Sequence, residues 1–156
     1  MKKTGLFFFL LTLSGPAAAL CFQAAGLRYQ LDPVLLEAMA IQESGLNPRA
    51  SDHNKNKAGK VLSTDFGLMQ INSLHIPALK TLGVIRSKED LLSNACLNVQ
   101  IGAWILARHL NICGHHWSCL GSYNAGFANN NQHRRIKYAR QVYRRYQQLR
   151  SQRQHP

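Results

Sequence analysis

Apolar positions recur along this chain at spacings of three and four residues, and the pattern predicts helices almost from end to end. No run of strict alternation marks a strand. Cys21 to Tyr29 reads as a first short helix. Asp32-Pro33 is a helix start, with Asp32 as N-cap and Pro33 preset at the first helical position. Leu35, Leu36, Met39 and Ala40 then form an apolar face that runs to about Ser44, where Gly45 and Asn47-Pro48 stop the helix. From Asn47 to Asp65 the chain is polar and rich in Asn, Lys and Gly, which predicts a long surface loop, and long ordered loops in small domains are often functional. A helix is predicted around Ser73 to Leu82, and Ser87-Lys88-Glu89-Asp90 has the form of a capping box opening another short one. Asn94 to Leu110 is the most apolar stretch; it predicts a central buried helix with Leu97, Ile101, Trp104, Ile105 and Ala107 inside. His116 to Tyr123 is expected to be helical, Gly126 to Asn131 a loop, and Arg134 to Arg150 a basic helix packed through Ile136, Val142, Tyr146 and Leu149. With neither repeat nor linker, the expectation is one all-α domain over residues 20–150, followed by a short basic tail at 151–156.

The first residues stand apart. Lys2 and Lys3 precede an apolar run from Leu6 to Leu13, then Ser14-Gly15-Pro16 and Ala17-Ala18-Ala19, which is the form of a cleavable signal peptide cut after Ala19. The run is far short of the roughly 20 residues that span a bilayer, and bulky Leu20 before Cys21 argues against a lipoprotein. Removing 19 of the 156 residues leaves 137, enough for one compact domain. It is expected to work as a soluble periplasmic monomer without a transmembrane anchor. Cys21, Cys96, Cys113 and Cys119 all survive the cut, and an even count in an oxidising compartment points to two disulfides. Four cysteines allow three pairings; the favoured one is Cys113–Cys119 as a local clip and Cys21–Cys96 tying the N-terminus to the central helix. The competing reading, a zinc site of Cys113, His115, His116 and Cys119, lacks the usual spacing of paired ligands, so no metal is expected. The formal charge of +12 falls by two, to +10, with the loss of Lys2 and Lys3. Such a surplus fits an anionic partner as well as a merely solubilising surface. Export argues against nucleic acid and leaves a membrane surface or an acidic wall polymer.

Seven carboxylates are present, few enough to take in turn. Asp32 is a cap, Glu89 and Asp90 sit in a first helical turn where the macrodipole favours them, Glu37 lies six residues before Glu43 on a different face, and Asp52 is in the polar stretch. Glu43 and Asp65 remain. Glu43 ends an apolar helical face, and both the helix C-terminus and apolar neighbours raise a carboxyl pKa, which suits a general acid at neutral pH. By position alone, an ordinary exposed glutamate near a helix end is the better reading.

Glu43-Ser44, Gly67-Leu68-Met69-Gln70-Ile71-Asn72 and Ser122-Tyr123-Asn124-Ala125-Gly126 occur in that order. They resemble the E-S, G-L-M-Q and A-Y-N signatures of the soluble lytic transglycosylase family, whose catalytic domain is related to goose-type lysozyme. Asn94 to Leu106, with Asn98 and Gly102, resembles that family's central helix, so the similarity spans about Cys21 to Tyr143. Ser122 departs from the pattern, standing where the family usually has alanine. The resemblance implies a lysozyme-like helical domain with a substrate cleft, acting without a cofactor on peptidoglycan glycan strands. It implies Glu43 as the acid and base, Tyr123 as the group that orients it, and Ser44, Gln70, Asn72 and Asn124 as residues that position the sugar. Asn98 and Gly102 read as helix-packing positions. Small members of this kind accompany type III and type IV secretion, conjugation and pilus machines, whose components are the implied partners. Two rival functions remain: a hydrolase in which Asp65 holds a water, and a non-enzymatic basic protein that binds the wall through its last helix.

Overall fold

The structure is a computed structural model and describes residues 15–154. The charged start and the apolar run Leu6 to Leu13 of the expected signal peptide lie outside the described residues. The chain folds as α1 (Gly15–Tyr29), α2 (Pro33–Ser44), β1 (Ser51–Lys55), β2 (Val61–Phe66), β3 (Ile71–Asn72), α3 (Ile76–Thr81), α4 (Asp90–Ser93), α5 (Ala95–Cys113), α6 (Trp117–Leu120), α7 (Ser122–Ala125) and α8 (Gln132–Gln154), with 3-10 turns at Ser73–His75 and Asn129–Asn131. The all-α, lysozyme-like expectation holds, with one small sheet added to it. The expected cut after Ala19 falls inside α1, and α8 takes in residues 151–154.

Helix α2 begins and ends as its sequence dictates. The Asp32 carboxylate accepts from the Val34 N–H at 2.8 Å, and Gly45 adopts φ 62°, the left-handed conformation that lets its N–H return to Ile41 O and closes the helix. That stop places Glu43 in the last turn. Helix α5 runs through the middle of the molecule, capped by the Asn94 side chain accepting from Leu97 N at 3.0 Å. Its buried face is Val99, Ile101, Ala103, Ile105, Leu106 and Leu110, together with Asn98 and Gly102. Of the expected interior residues, Leu97, Trp104 and Ala107 lie at the margin of the core instead. Gly102 is required by contact, because a Cβ there would stand 2.7 Å from the Met69 Cβ. Helix α1 packs on α5, and α8 lies along α2. No helix among the described residues is long and apolar enough to cross a membrane.

The stretch expected as a loop is an antiparallel sheet. Strands β1 and β2 pair with Ser51 opposite Phe66 and Asp52 opposite Asp65, with an irregularity at Asn54/Lys55, and β2 pairs with β3 through Asp65–Asn72 and Phe66–Ile71. Hydrophobic alternation is missing because all five residues of β1 are exposed. Polar cross-strand pairs stand in its place: Asn54 Nδ2 donates to Ser63 Oγ (3.1 Å) and Asp65 Oδ2 (2.7 Å), and Asn72 Nδ2 to Ser63 Oγ (2.9 Å) and Asp65 Oδ1 (2.7 Å).

Cys21 is bonded to Cys96 and Cys113 to Cys119. The first closes a separation of 75 residues and the second one of 6, which on a chain-entropy model contribute about 4 and about 2 kcal/mol. The second bond also removes both thiolates from the Cys/His cluster. Its neighbour His116 caps α6 instead, Nδ1 accepting from Cys119 N. Alkylation of denatured, unreduced protein is therefore expected to label no cysteine, and to label all four after reduction. Two labelled thiols without reductant would contradict the pairing.

Candidate active site

Glu43 lies at the meeting point of two hollows, of about 430 and 420 Å³, and both are lined by Glu43, Asp65, Gln70, Asn124 and Arg134. The sheet and the turn after it form one wall, and α5, α7 and the start of α8 form the other. A third hollow of about 480 Å³ lies apart between α6 and α8, around Trp117 and Tyr143, and has no carboxylate in its walls. Of these three hollows, the first two have carboxylates in their walls, Glu43 and Asp65 being common to both.

The Glu43 carboxyl is pushed up from its usual 4.5 to about 7, first by burial and then by the charge of Asp65, against the opposing pull of a hydrogen bond from Tyr138. Tyr138 itself is buried, 4% exposed, and burial beside Glu43 holds its hydroxyl proton in place well above the usual tyrosine range. It is therefore a permanent donor to Glu43 Oε1. A proton carried by Glu43 then rides on Oε2, which leaves it available to a ligand.

This corrects the expected partner. The Tyr123 hydroxyl donates to Met69 O at 2.8 Å and so ties α7 to the turn before β3, while its ring lines the cleft. Ser44 is similarly engaged: its hydroxyl donates to Leu68 O at 2.9 Å and accepts from Asn47 N at 3.2 Å, bracing α2 against the same turn. Neither hollow counts Ser44 among its lining residues. Asn72 lines the cleft, but its amide is already shared between Ser63, Asp65 and Leu74 N. Gln70 faces both hollows from a left-handed backbone, φ 49°, an unfavourable conformation for a non-glycine residue. Asn124 is exposed and has no side-chain hydrogen bond among the described residues, so both ends of its amide are open to a ligand.

The turn carrying Leu68 to Gln70 is held by α5. Asn98, fully buried, accepts from Met69 N at 2.8 Å and donates to Phe66 O at 2.8 Å and Leu91 O at 3.0 Å. Gly67 sits so close that a Cβ would meet Asn98 Nδ2 at 2.2 Å, and its φ of 75° also calls for glycine. Sequence reasoning missed Tyr138, His75, His109 and Arg134. Tyr138 was within reach, being four residues before Val142 on the apolar stripe of α8. His75 and His109 both line the cleft and both are pulled below the usual histidine range, burial being the main cause.

Fold and site together define a lysozyme-like helical domain whose cleft is organised around one desolvated glutamate. The chain belongs to the transglycosylase SLT domain family, whose model matches residues 20–145. It is 45% identical over 140 residues to a "Peptidoglycan-binding-like protein" of Escherichia coli O157:H7, covering 90% of this chain and 84% of that one. It is 40% identical to Protein IpgF of Shigella flexneri (81% and 78% covered) and 38% identical to Invasion protein IagB of Salmonella typhimurium strain SL1344 (83% and 76%). In fold it is similar to an inactive mutant of the lytic transglycosylase Slt of Pseudomonas aeruginosa, with a TM-score of 0.58 and 17% identity. That match covers 86% of this chain but only 24% of the larger enzyme.

Proposed function

We propose that this protein is a peptidoglycan lytic transglycosylase that cleaves the β-1,4 bond between N-acetylmuramic acid and N-acetylglucosamine and leaves a 1,6-anhydro end. The observation that carries the reading is a single carboxyl titrating near 7 at the junction of two hollows, where a glycan laid through both presents one glycosidic bond to it. Glu43 Oε2–H protonates the bridging oxygen as the bond to the anomeric carbon breaks, and the chain beyond leaves as an alcohol. The substrate's own N-acetyl carbonyl attacks that carbon, so no enzymic nucleophile is needed. The Glu43 carboxylate then takes the proton of the muramic C6 hydroxyl, whose oxygen displaces the acetyl oxygen and closes the anhydro ring. The glutamate ends protonated, as it began. Gln70 and Asn124 hold the sugar, and Tyr138 holds the glutamate. A cleaved signal peptide would deliver the enzyme to the periplasm, there to open the wall for a secretion, conjugation or pilus apparatus, as the family resemblance implies; that one relative is named an invasion protein supports such a role.

Asp65 favours a second reading, because it borders both hollows with Glu43 and could hold a water for hydrolysis. Its oxygens are already engaged by Asn54 and Asn72 from the sheet, as fits a residue that braces the wall. Asp65→Asn is thus expected to keep substantial turnover on purified sacculi with anhydro-muramyl products, and digestion in H₂¹⁸O to leave the new muramic ends unlabelled. A loss on the order of 10²–10⁴ in that variant, with heavy oxygen in the primary products of the wild type, would establish the hydrolase instead.

A further inference from the structure

Ser122 stands at the position where the family signature has alanine, and its side chain is buried, 1% exposed. A buried hydroxyl needs an acceptor for its proton. Its hydrogen bond among the described residues is to Nδ1 of His109, at 2.8 Å, from α7 across to α5. Were the ring the donor, the serine proton would have no acceptor within the protein. With serine as donor, both groups are satisfied. Burial, then His75 and Arg108, hold the His109 pKa below its usual value, which keeps the ring neutral at neutral pH. A neutral imidazole whose Nδ1 accepts carries its proton on Nε2. That N–H has no partner among the described residues. The ring lines the hollow on the α5 side of Glu43, its plane held by Phe127 with centroids 4.7 Å apart.

We infer that His109 is a glycan-binding residue that donates from Nε2 to the N-acetyl carbonyl of a hexosamine in this hollow, and that Ser122 is the positioning residue that fixes its tautomer. The inference rests on the reading of the cleft as a glycan site. A neutral ring locked as a donor needs an acceptor opposite it, and the better acceptor is favoured. The amide carbonyl is the strongest neutral acceptor on each N-acetylhexosamine, ahead of its hydroxyl, ring and glycosidic oxygens.

The test uses the Glu43→Gln protein, which binds without cleaving, and the β-1,4-linked tetramer of N-acetylglucosamine as probe. Nitrogen NMR of the imidazoles should show His109 as the Nε2–H tautomer, mixed with the Nδ1–H form once Ser122→Ala is added. The Nε2 resonance should move on titration with the tetramer and stay put with its de-N-acetylated counterpart. By calorimetry, His109→Phe combined with Ser122→Ala, which leaves no orphaned hydroxyl, should weaken the tetramer on the order of three- to tenfold. His109→Gln with Ser122→Ala should restore most of that loss, since the amide N–H reaches where Nε2–H stood. The tautomer and titration measurements need no change at His109, so they stand even where a variant folds poorly. A pure Nδ1–H tautomer, equal movement with the de-N-acetylated tetramer, or unchanged affinity in the Phe variant would overturn the inference and leave the cleft assignment standing. Failure of the Glu43→Gln protein itself to bind the tetramer would overturn both.

Discussion

Glu43→Gln is expected to lower turnover of purified sacculi on the order of 10⁴-fold, the upper range for loss of a general acid–base group, with the fold retained. Gln keeps the shape and can still accept from Tyr138, so only the transferable proton is removed. The wild-type pH profile carries the same information: kcat/KM should fall as pH rises through about 7, where Glu43 loses the proton it must deliver. Tyr138→Phe removes the hydrogen bond that restrains this pKa and should move that limb upward; Asp65→Asn should move it downward. Stability changes in the opposite sense to what is usual for a carboxylate. Between 4.5 and about 7 the folded chain keeps a proton that the unfolded chain has released, so stability falls as pH rises through that window. Above it the charged, desolvated group costs roughly 3 kcal/mol. The Gln variant should accordingly melt about 5–10 °C higher than wild type at pH 8, and with no difference below pH 4. Unchanged melting at pH 8, or wild-type turnover, would remove Glu43 from the role.

Asn98→Leu is expected to destabilise the protein by about 5 kcal/mol, lowering the melting midpoint by about 10–20 °C. The loss comes from the partners rather than from the side chain alone. Met69 N–H and the carbonyls of Phe66 and Leu91 are all satisfied by this one amide, and each buried group left without a partner costs about 1–3 kcal/mol. Since Met69 O receives the Tyr123 hydroxyl and Gln70 is the next residue, turnover at low temperature should fall as well. Thermal unfolding by circular dichroism settles the magnitude. A midpoint within a few degrees of wild type would show that the turn is held by its packing on Gly102 and not by Asn98.

The helices that position Glu43 were legible because their signals are local: Asp32 and Pro33 start α2, Gly45 ends it, and Asn94 caps α5. The sheet was not, because β1 is exposed throughout and is held by Asn, Ser, Thr and Asp side chains, which in a linear reading look like loop composition. The Glu43 position in the cleft was legible through its motif, but not its partner. Tyr138 is separated from it by 95 residues; its spacing from Val142 marks it as inward-facing, but nothing local pairs it with Glu43 until that helix docks on α2. Tyr123, which the motif offers, points its hydroxyl at the backbone of a turn whose path depends on Asn98. The bond that engages Ser44 is equally non-local, since its acceptor Leu68 O lies 24 residues away.

Helix α8 clasps α2 along its length: Arg145 Nε donates to Gln42, the Tyr146 hydroxyl to Asp32, and Arg153 pairs with Glu37, while Tyr138 reaches Glu43. The environment of Glu43 is therefore completed by a residue 95 positions further along the chain. Burial is the largest cause of the raised Glu43 pKa, so its acid form at neutral pH depends on the packing around it, α8 included. A chain whose α8 is undocked is thus expected to lose the acid form of Glu43, and with it the activity proposed for the cleft.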